Sequence, residues 1–360
     1  MRNDLMGKNN IGFIRKHFGF FGRVTLAFAL SGMMLPLAAI AAPASSSLSY
    51  TRFFYYRDSV RARQSLFAHP DLIDVLAPQS YSFNIAGKLT GGMRANILRF
   101  AKKHNIKVMP LVTNRKFSKG AYQTLLNDAA MQDSAIASLV AEAKKNNYWG
   151  WQFDFEQMDA SYRDLYSAFI KKAADALKQN NLVISVAVIA QISDNSGDYP
   201  NDLWQKTIGV YDYSSLASSA DFISVMSYDD PNSTGPVAEY SWLKQVIAYS
   251  AKLIPHDKLS LGIPLYYWKW NNATGARVGI GGRKGIANVI QKHKVAFHYS
   301  IEHEAPYLTY WNRAKQYVIW YENARSVAKK IGLIKENHLH GFSAWALGLE
   351  LSSVYSAIQR

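Results

Sequence analysis

Eight short β-branched or aromatic runs recur along this chain, most of them followed by a segment with helical spacing. That alternation restricts the fold more than any other property. The runs occupy residues 51–56, 73–83, 106–113, 149–158, 182–189, 222–226, 259–263 and 341–346. Helical spacing is found at 93–104, 134–145, 162–179, 242–253 and 317–331. Within 162–179, Leu165, Phe169, Ala173 and Leu177 recur every four residues and therefore share one face. Asp133 is placed to cap the helix at 134–145. The run 182–189 is almost continuously apolar, as expected of a parallel strand covered on both sides. Strands alternating with helices predict an α/β protein, a (β/α)8 TIM barrel. A doubly wound open sheet is the alternative, although it uses fewer strands and no Gly-rich phosphate turn follows the first run.

One connection is too long for a loop. Residues 265–316 separate the seventh run from the next helix, and a structureless stretch of that size does not suit a compact domain. They predict a small α+β insertion between strand 7 and helix 7, with a helix near 286–292. On a barrel such an insert projects from the catalytic face and forms one wall of a cleft.

The first 42 residues are of a different kind. Arg2, Lys8, Arg15, Lys16 and Arg23 form a basic leader, 24–35 is apolar, and Ala39-Ile40-Ala41-Ala42 offers a small-residue cleavage site. This is the layout of a secretory signal peptide, with a retained membrane anchor as the alternative. Domain 43–360 would then be secreted or periplasmic, with no stable membrane span after cleavage. The leader takes five basic residues and one acid with it, lowering the formal charge from +15 to +11. A basic exported protein is drawn to anionic surfaces such as cell wall. Nucleic acid is not an expected partner, because no basic run is interleaved with a recognition motif. Cysteine is absent, which excludes disulfides and thiolate metal sites. Its 22 Tyr and 9 Trp suit stacking on sugar rings as well as a large core.

The stretch Trp149-Gly150-Trp151-Gln152-Phe153-Asp154-Phe155-Glu156-Gln157-Met158 carries the chemistry. Side chains of a strand alternate between faces, so Gln152, Asp154 and Glu156 share one side and Trp151, Phe153 and Phe155 the other. Two carboxylates on such a strand are costly to bury unless paired, protonated or put to use. An edge strand with exposed acids is the alternative.

Residues 150–156 resemble the Asp-Gly-x-Asp-x-Asp-x-Glu signature of glycoside hydrolase family 18, the chitinases and related N-acetylglucosaminidases. Met226-Ser227-Tyr228-Asp229 resembles that family's Met-x-Tyr-Asp motif. Leu261-Gly262-Ile263-Pro264-Leu265-Tyr266 is similar to its seventh strand, and Gly341-Phe342-Ser343-Ala344-Trp345-Ala346-Leu347-Gly348 to its eighth. Within the family, 319–326 and 235–238 look like the branch of bacterial and spore cell-wall glucosaminidases.

The resemblance implies a glycosidase acting on β-linked N-acetylglucosamine, in peptidoglycan or else chitin. The substrate's own acetamido oxygen would serve as nucleophile, with retention at the anomeric centre and no cofactor or metal. Glu156 would be the acid and base. Asp154 would orient the acetamido N–H, Tyr228 would bond the acetamido oxygen, Asp229 would contact the sugar, and Trp345 would stack beneath it. Tyr55 and Tyr266 would line subsites, with Tyr81, Phe83, Asn114, Trp268 and Trp270 as weaker candidates. Gln152 stands where most chitinases have an Asp; its amide would contact substrate, or donate to Asp154 and hold it ionised. A glycan-binding lectin on the same barrel is the non-enzymatic alternative. His293, His298, His303 and Glu304 are too irregularly spaced to suggest a metal. A polysaccharide is the expected partner, and the protein is expected to be a monomer.

Overall fold

A computed structural model describes residues 50–200 and 202–358. The expected signal segment 1–42 lies outside the described residues. Eight strands form the barrel: β1 Thr51–Tyr56, β2 Val75–Phe83, β3 Leu111–Asn114, β4 Gly150–Asp154, β5 Val183–Ile189, β6 Phe222–Met226, β7 Leu259–Pro264 and β8 Gly341–Trp345. Each pairs in parallel with its neighbours in chain order, and β1 pairs with both β8 and β2, so the sheet closes. The third run is split into Lys107–Val108 and β3. The break falls at Pro110, whose missing N–H cannot join a ladder.

Helices cover the outside of this barrel. The outward face of β4 shows why the sheet needs them: Trp151, Phe153 and Phe155 are fully buried. Phe153 meets Phe169 at 5.8 Å and Phe155 meets Tyr166 at 5.8 Å, both on the helix Arg163–Gln179. The helix before β4 runs Ala129–Asn146 and is capped by Asp128, which accepts from the Met131 N–H at 2.9 Å. Asp133, the expected cap, lies inside that helix and pairs with Lys172 at 2.7 Å. Helices at Val60–Ala68, Lys119–Asn127 and Tyr213–Ser219 were not expected from the sequence pattern. Among the described residues no helix is long and apolar enough to cross a membrane.

After β7 the chain enters a second, five-stranded antiparallel sheet. Its strands are Tyr267–Asn271, Arg277–Gly281, Val295–Ser300, Ala305–Asn312 and Lys315–Trp320, with one helix at Arg283–Lys292. Ile286, Leu308, Tyr310 and Ile319 make its own small core. Residues 317–320, expected to open a helix, are therefore strand, and the helix runs Ala324–Glu336. Asn323 starts it: its side chain accepts from the Ser326 N–H, and the Ser326 hydroxyl accepts from the Asn323 N–H. Behind this junction Glu322 and Lys330 form a buried ion pair at 2.9 Å. The branch-like stretch at 319–326 is thus the seam between insert and barrel.

Candidate active site

The site lies where the C-terminal ends of the barrel strands open into a cleft of about 530 Å³. Asp154, Glu156, Tyr228, Asp229, Tyr266, Trp345 and Tyr55 all line it, brought together from β1, β4, β6, β7 and β8.

Glu156 follows the end of β4, and its backbone is gripped by Asn114 at the end of β3. The Asn114 carboxamide accepts from the Glu156 N–H at 3.0 Å and donates to the Glu156 carbonyl at 2.9 Å. One residue earlier, the Tyr211 hydroxyl donates to the Phe155 carbonyl at 2.6 Å. Both Asn114 and Tyr211 are completely buried. Glu156 is therefore fixed through its main chain, independently of what its carboxyl touches.

That carboxyl sits among other acids. Burial and the charge of Asp229 push Glu156 up to about 7, against a hydrogen bond from Asp154 that lowers it. Asp154, 2% exposed, is raised well above the usual range by burial and then by the Glu156 charge, with a partial offset from the Gln79 amide. Two carboxyls this close cannot both ionise cheaply, so they share a proton. The Oδ1 of Asp154 has no partner within the protein and is free to accept from a ligand.

Tyr228 and Asp229 come from the turn after β6. The Ser227 hydroxyl donates to the Gly262 carbonyl at 2.9 Å, tying this turn to β7. A Cβ at Gly262 would stand 2.9 Å from the Tyr228 ring and 2.7 Å from the Ser227 nitrogen, so only glycine lets the ring reach the cleft. Asp229 adopts a left-handed backbone, φ 60°, a region that Asp tolerates better than most residues. It is exposed at the rim, and the Tyr266 hydroxyl donates to it at 2.7 Å. Partial desolvation raises its carboxyl, while Tyr266 and the charge of Arg277 lower it. The turn expected at Asp230-Pro231 is present too, with the Asp230 carboxylate accepting from the Asn232 N–H at 2.9 Å. Trp345, half-buried, packs against Tyr55 at 5.1 Å. Burial raises the hydroxyls of Tyr55, Tyr228 and Tyr266, keeping them as neutral donors.

Gln152 departs from expectation. It is fully buried inside the barrel, off the cleft lining, and it bonds neither substrate space nor Asp154. Its amide donates to Ser185 at 3.0 Å and Ser224 at 2.9 Å. Ser224, Ser343 and Ser260 continue the chain of hydroxyls at 2.8 and 2.7 Å. Strand parity placed Gln152 on the correct face, but two residues along a strand is one layer deeper, and small serines on β5 and β6 leave the amide nearer acceptors. Gln79 on β2 takes the expected role toward Asp154.

Of the weaker candidates, Tyr81 points out of the barrel, against Trp151 at 5.0 Å and with its hydroxyl donating to Glu142 at 2.8 Å. Phe83 is core. Trp268 and Trp270 line an adjoining groove. His293 and His298 stack on Tyr310 and Tyr307, while His303 pairs with Glu239. Sequence reasoning passed over the wall opposite the insert, built by Tyr199, Leu203, Thr207 and Ile208 in the segment after β5. The Tyr199 hydroxyl knits that segment, accepting from the Ile192 N–H at 2.9 Å and donating to the Ser193 carbonyl at 2.7 Å. The length of the gap between the fifth and sixth runs was the available signal. From the insert, Ile280 and Gly281 reach the cleft.

The family model described as Glycosyl hydrolases family 18 matches residues 52–350. The uncharacterized glycosylase YvbX of Bacillus subtilis (strain 168) is 28% identical over 315 residues, which are 85% of this chain and 90% of that protein. The cortical fragment-lytic enzyme of the same bacterium is 27% identical over 73% of this chain, which spans 62% of that relative's length. Among solved structures, a chitinase from Chromobacterium violaceum ATCC 12472 aligns with TM-score 0.77 at 25% identity, over 87% of this chain and 100% of its own. The Bacillus megaterium QM B1551 spore cortex-lytic enzyme SleL aligns with TM-score 0.76 at 24% identity, over 86% of this chain and 73% of its own.

Proposed function

Because this chain belongs to glycosyl hydrolases family 18, we propose that it cleaves β-linked N-acetylglucosamine bonds in peptidoglycan by a retaining, substrate-assisted route. The observation that carries this reading is the Glu156 carboxyl, held at about 7 inside the cleft with Asp154 as its proton-sharing neighbour. Such a group is protonated often enough at neutral pH to act as an acid and ionised often enough to act as a base.

In the first step Glu156 gives its proton to the glycosidic oxygen as the bond from that oxygen to C1 breaks. The substrate's acetamido carbonyl oxygen closes on C1, forming an oxazolinium. The unpartnered Oδ1 of Asp154 accepts the acetamido N–H and stabilises the developing positive charge. Tyr228 donates to the acetamido oxygen, Asp229 and Tyr266 bind sugar hydroxyls, and Trp345 lies under the ring with Tyr55 behind it. In the second step the Glu156 carboxylate takes a proton from water, whose oxygen attacks C1 and reopens the acetamide. Two displacements restore the starting anomer.

Peptidoglycan is preferred as substrate because relatives named for cortex lysis align along most of the barrel. The +11 charge of residues 43–360 also favours an anionic wall. The leader-like segment supports export of this activity. Chitooligosaccharides are the second reading, favoured by the end-to-end match to a chitinase. Purified protein incubated with peptidoglycan and with chitooligosaccharides decides between them, reading new reducing ends and product masses for wild type and Glu156→Gln. Fragments from chitooligosaccharides alone would replace peptidoglycan, and full activity in Glu156→Gln would remove Glu156 as the acid.

A further inference from the structure

A second groove, of about 720 Å³, adjoins the cleft and shares Asp229, Pro231 and Ile280 with it. Two indoles of the first insert strand form its wall. Trp268 is buried, whereas Trp270 is half-buried, with its N–H donating to the Gly235 carbonyl at 2.8 Å. The two rings meet edge-on, 5.7 Å between centroids. On the neighbouring strand, in register with Trp270, the exposed Arg277 lays its guanidinium 4.2 Å above the Trp268 ring.

Arg277 is absent from the arginine ion pairs among the described residues. Of the two acids bordering the groove, Asp229 accepts from the Tyr266 hydroxyl and feels the charge of Arg277 without a direct ion pair, and Asp230 accepts from the Asn232 N–H. A guanidinium seated over an indole face keeps N–H donors to offer at its edge, and its planar fork matches a carboxylate with two parallel hydrogen bonds. A neutral N-acetylglucosamine polymer has hydroxyl and acetamido oxygens for single N–H donors but no group that takes both arms of such a fork. A wall glycan does, since every second sugar bears a lactyl ether that ends in a carboxylate or in an amide-linked peptide with carboxylates of its own. We propose that this groove is a subsite for a carboxylate-bearing amino sugar, with Arg277 binding the carboxylate and Trp270 offering a stacking face. The proposal rests on the cleft being the cleavage site for wall glycan, and it makes Arg277 the residue that separates this substrate from chitin.

Binding is the readout, so that the subsite is tested apart from the chemistry. Affinities are measured by calorimetry in a Glu156→Gln background for chitotetraose, for a peptide-free tetrasaccharide of alternating N-acetylglucosamine and N-acetylmuramic acid, and for the same tetrasaccharide with peptide stems. Arg277→Gln is expected to lower the preference for a carboxylate-bearing ligand over chitotetraose about tenfold, and Arg277→Lys to restore part of it. A loss with the peptide-free ligand assigns the lactyl carboxylate; a loss only with the stem-bearing ligand assigns the peptide. A preference that stays within a factor of two in Arg277→Gln overturns the subsite. If the preference falls as expected while wild type releases no reducing ends from peptidoglycan, the subsite stands and the peptidoglycan reading fails.

Discussion

The floor of the cleft and the wall beside it handle water differently. On the barrel side Asp154 is 2% exposed and Tyr266 5%; Gln79 on β2 bonds Asp154, and the Tyr266 hydroxyl is held by Asp229 after β6. On the insert side Ile280 is 64% exposed, and Arg277 also stands in solvent. In the dry floor, charges act strongly on one another and their geometry is fixed before substrate arrives, which is what a transition state uses. In the wet wall, single contacts are weaker and act on bound substrate and transition state alike. Changes to the floor should therefore appear in kcat on every glycan, and changes to the wall in KM and in preference between glycans.

The largest effect belongs to the floor. Glu156→Gln keeps the shape and removes the transferable proton, so kcat should fall about 10³-fold on both peptidoglycan and chitooligosaccharide, read as reducing ends. A similar loss on one glycan and none on the other would break the comparison. The proton itself gives the second test. Glu156 must be protonated for the first step, and its carboxyl is raised to about 7, so kcat/KM should decline about tenfold per unit above that pH.

The same raised value makes a stability prediction. In the unfolded chain this carboxyl ionises at its ordinary value of 4.5, but the folded cleft resists ionisation until about 7. The ionisable side chain thus costs stability progressively as pH rises from the lower value through the higher. Glu156→Gln should be more stable than wild type at pH 8 by on the order of 3 kcal/mol, melting at a higher temperature, and should melt at the same temperature as wild type at pH 4. Thermal melts at the two pH values check this.

Asn114→Ala loosens the grip on the Glu156 backbone without touching substrate. A loss of about tenfold in kcat with little change in KM is expected, because the carboxyl is misplaced while binding contacts remain. Equal changes in both constants would make Asn114 ordinary core. The smallest effect comes from the wall: Trp270→Ala should raise KM about threefold and leave kcat within a factor of two.

The barrel was legible because its evidence is spread over many residues. Each strand announces itself by a run such as 182–189, and eight runs outweigh a wrong boundary at any one. Helices with weak faces were invisible: Val60–Ala68 carries two arginines and buries only Ala62, Ser65 and Leu66. Residues 317–320 were misread because a half-buried strand of bulky residues lacks clean alternation, even at the centre of a small sheet. At the site, residues that line the cleft could be found from their chemistry, as with Asp154 and Glu156. Gln152 could not be placed, because its partners Ser185 and Ser224 lie on other strands and local sequence carries no record of depth. Asn114 was noticed only as a strand-end residue for the same reason, since its function is expressed 42 positions away.

The insert leaves and rejoins the barrel through two strands that pair with each other, Trp268 opposite Trp320. Its doorway is therefore a single antiparallel ladder, closed on the barrel side by the buried Glu322–Lys330 pair. A module attached in this way can be lengthened, trimmed or exchanged for a tight turn while the eight parallel strands keep their register. The parts proposed to set substrate range and to break the bond are thus separable, and grafting residues 268–320 onto a related barrel is expected to change preference between glycans while leaving the barrel residues in place.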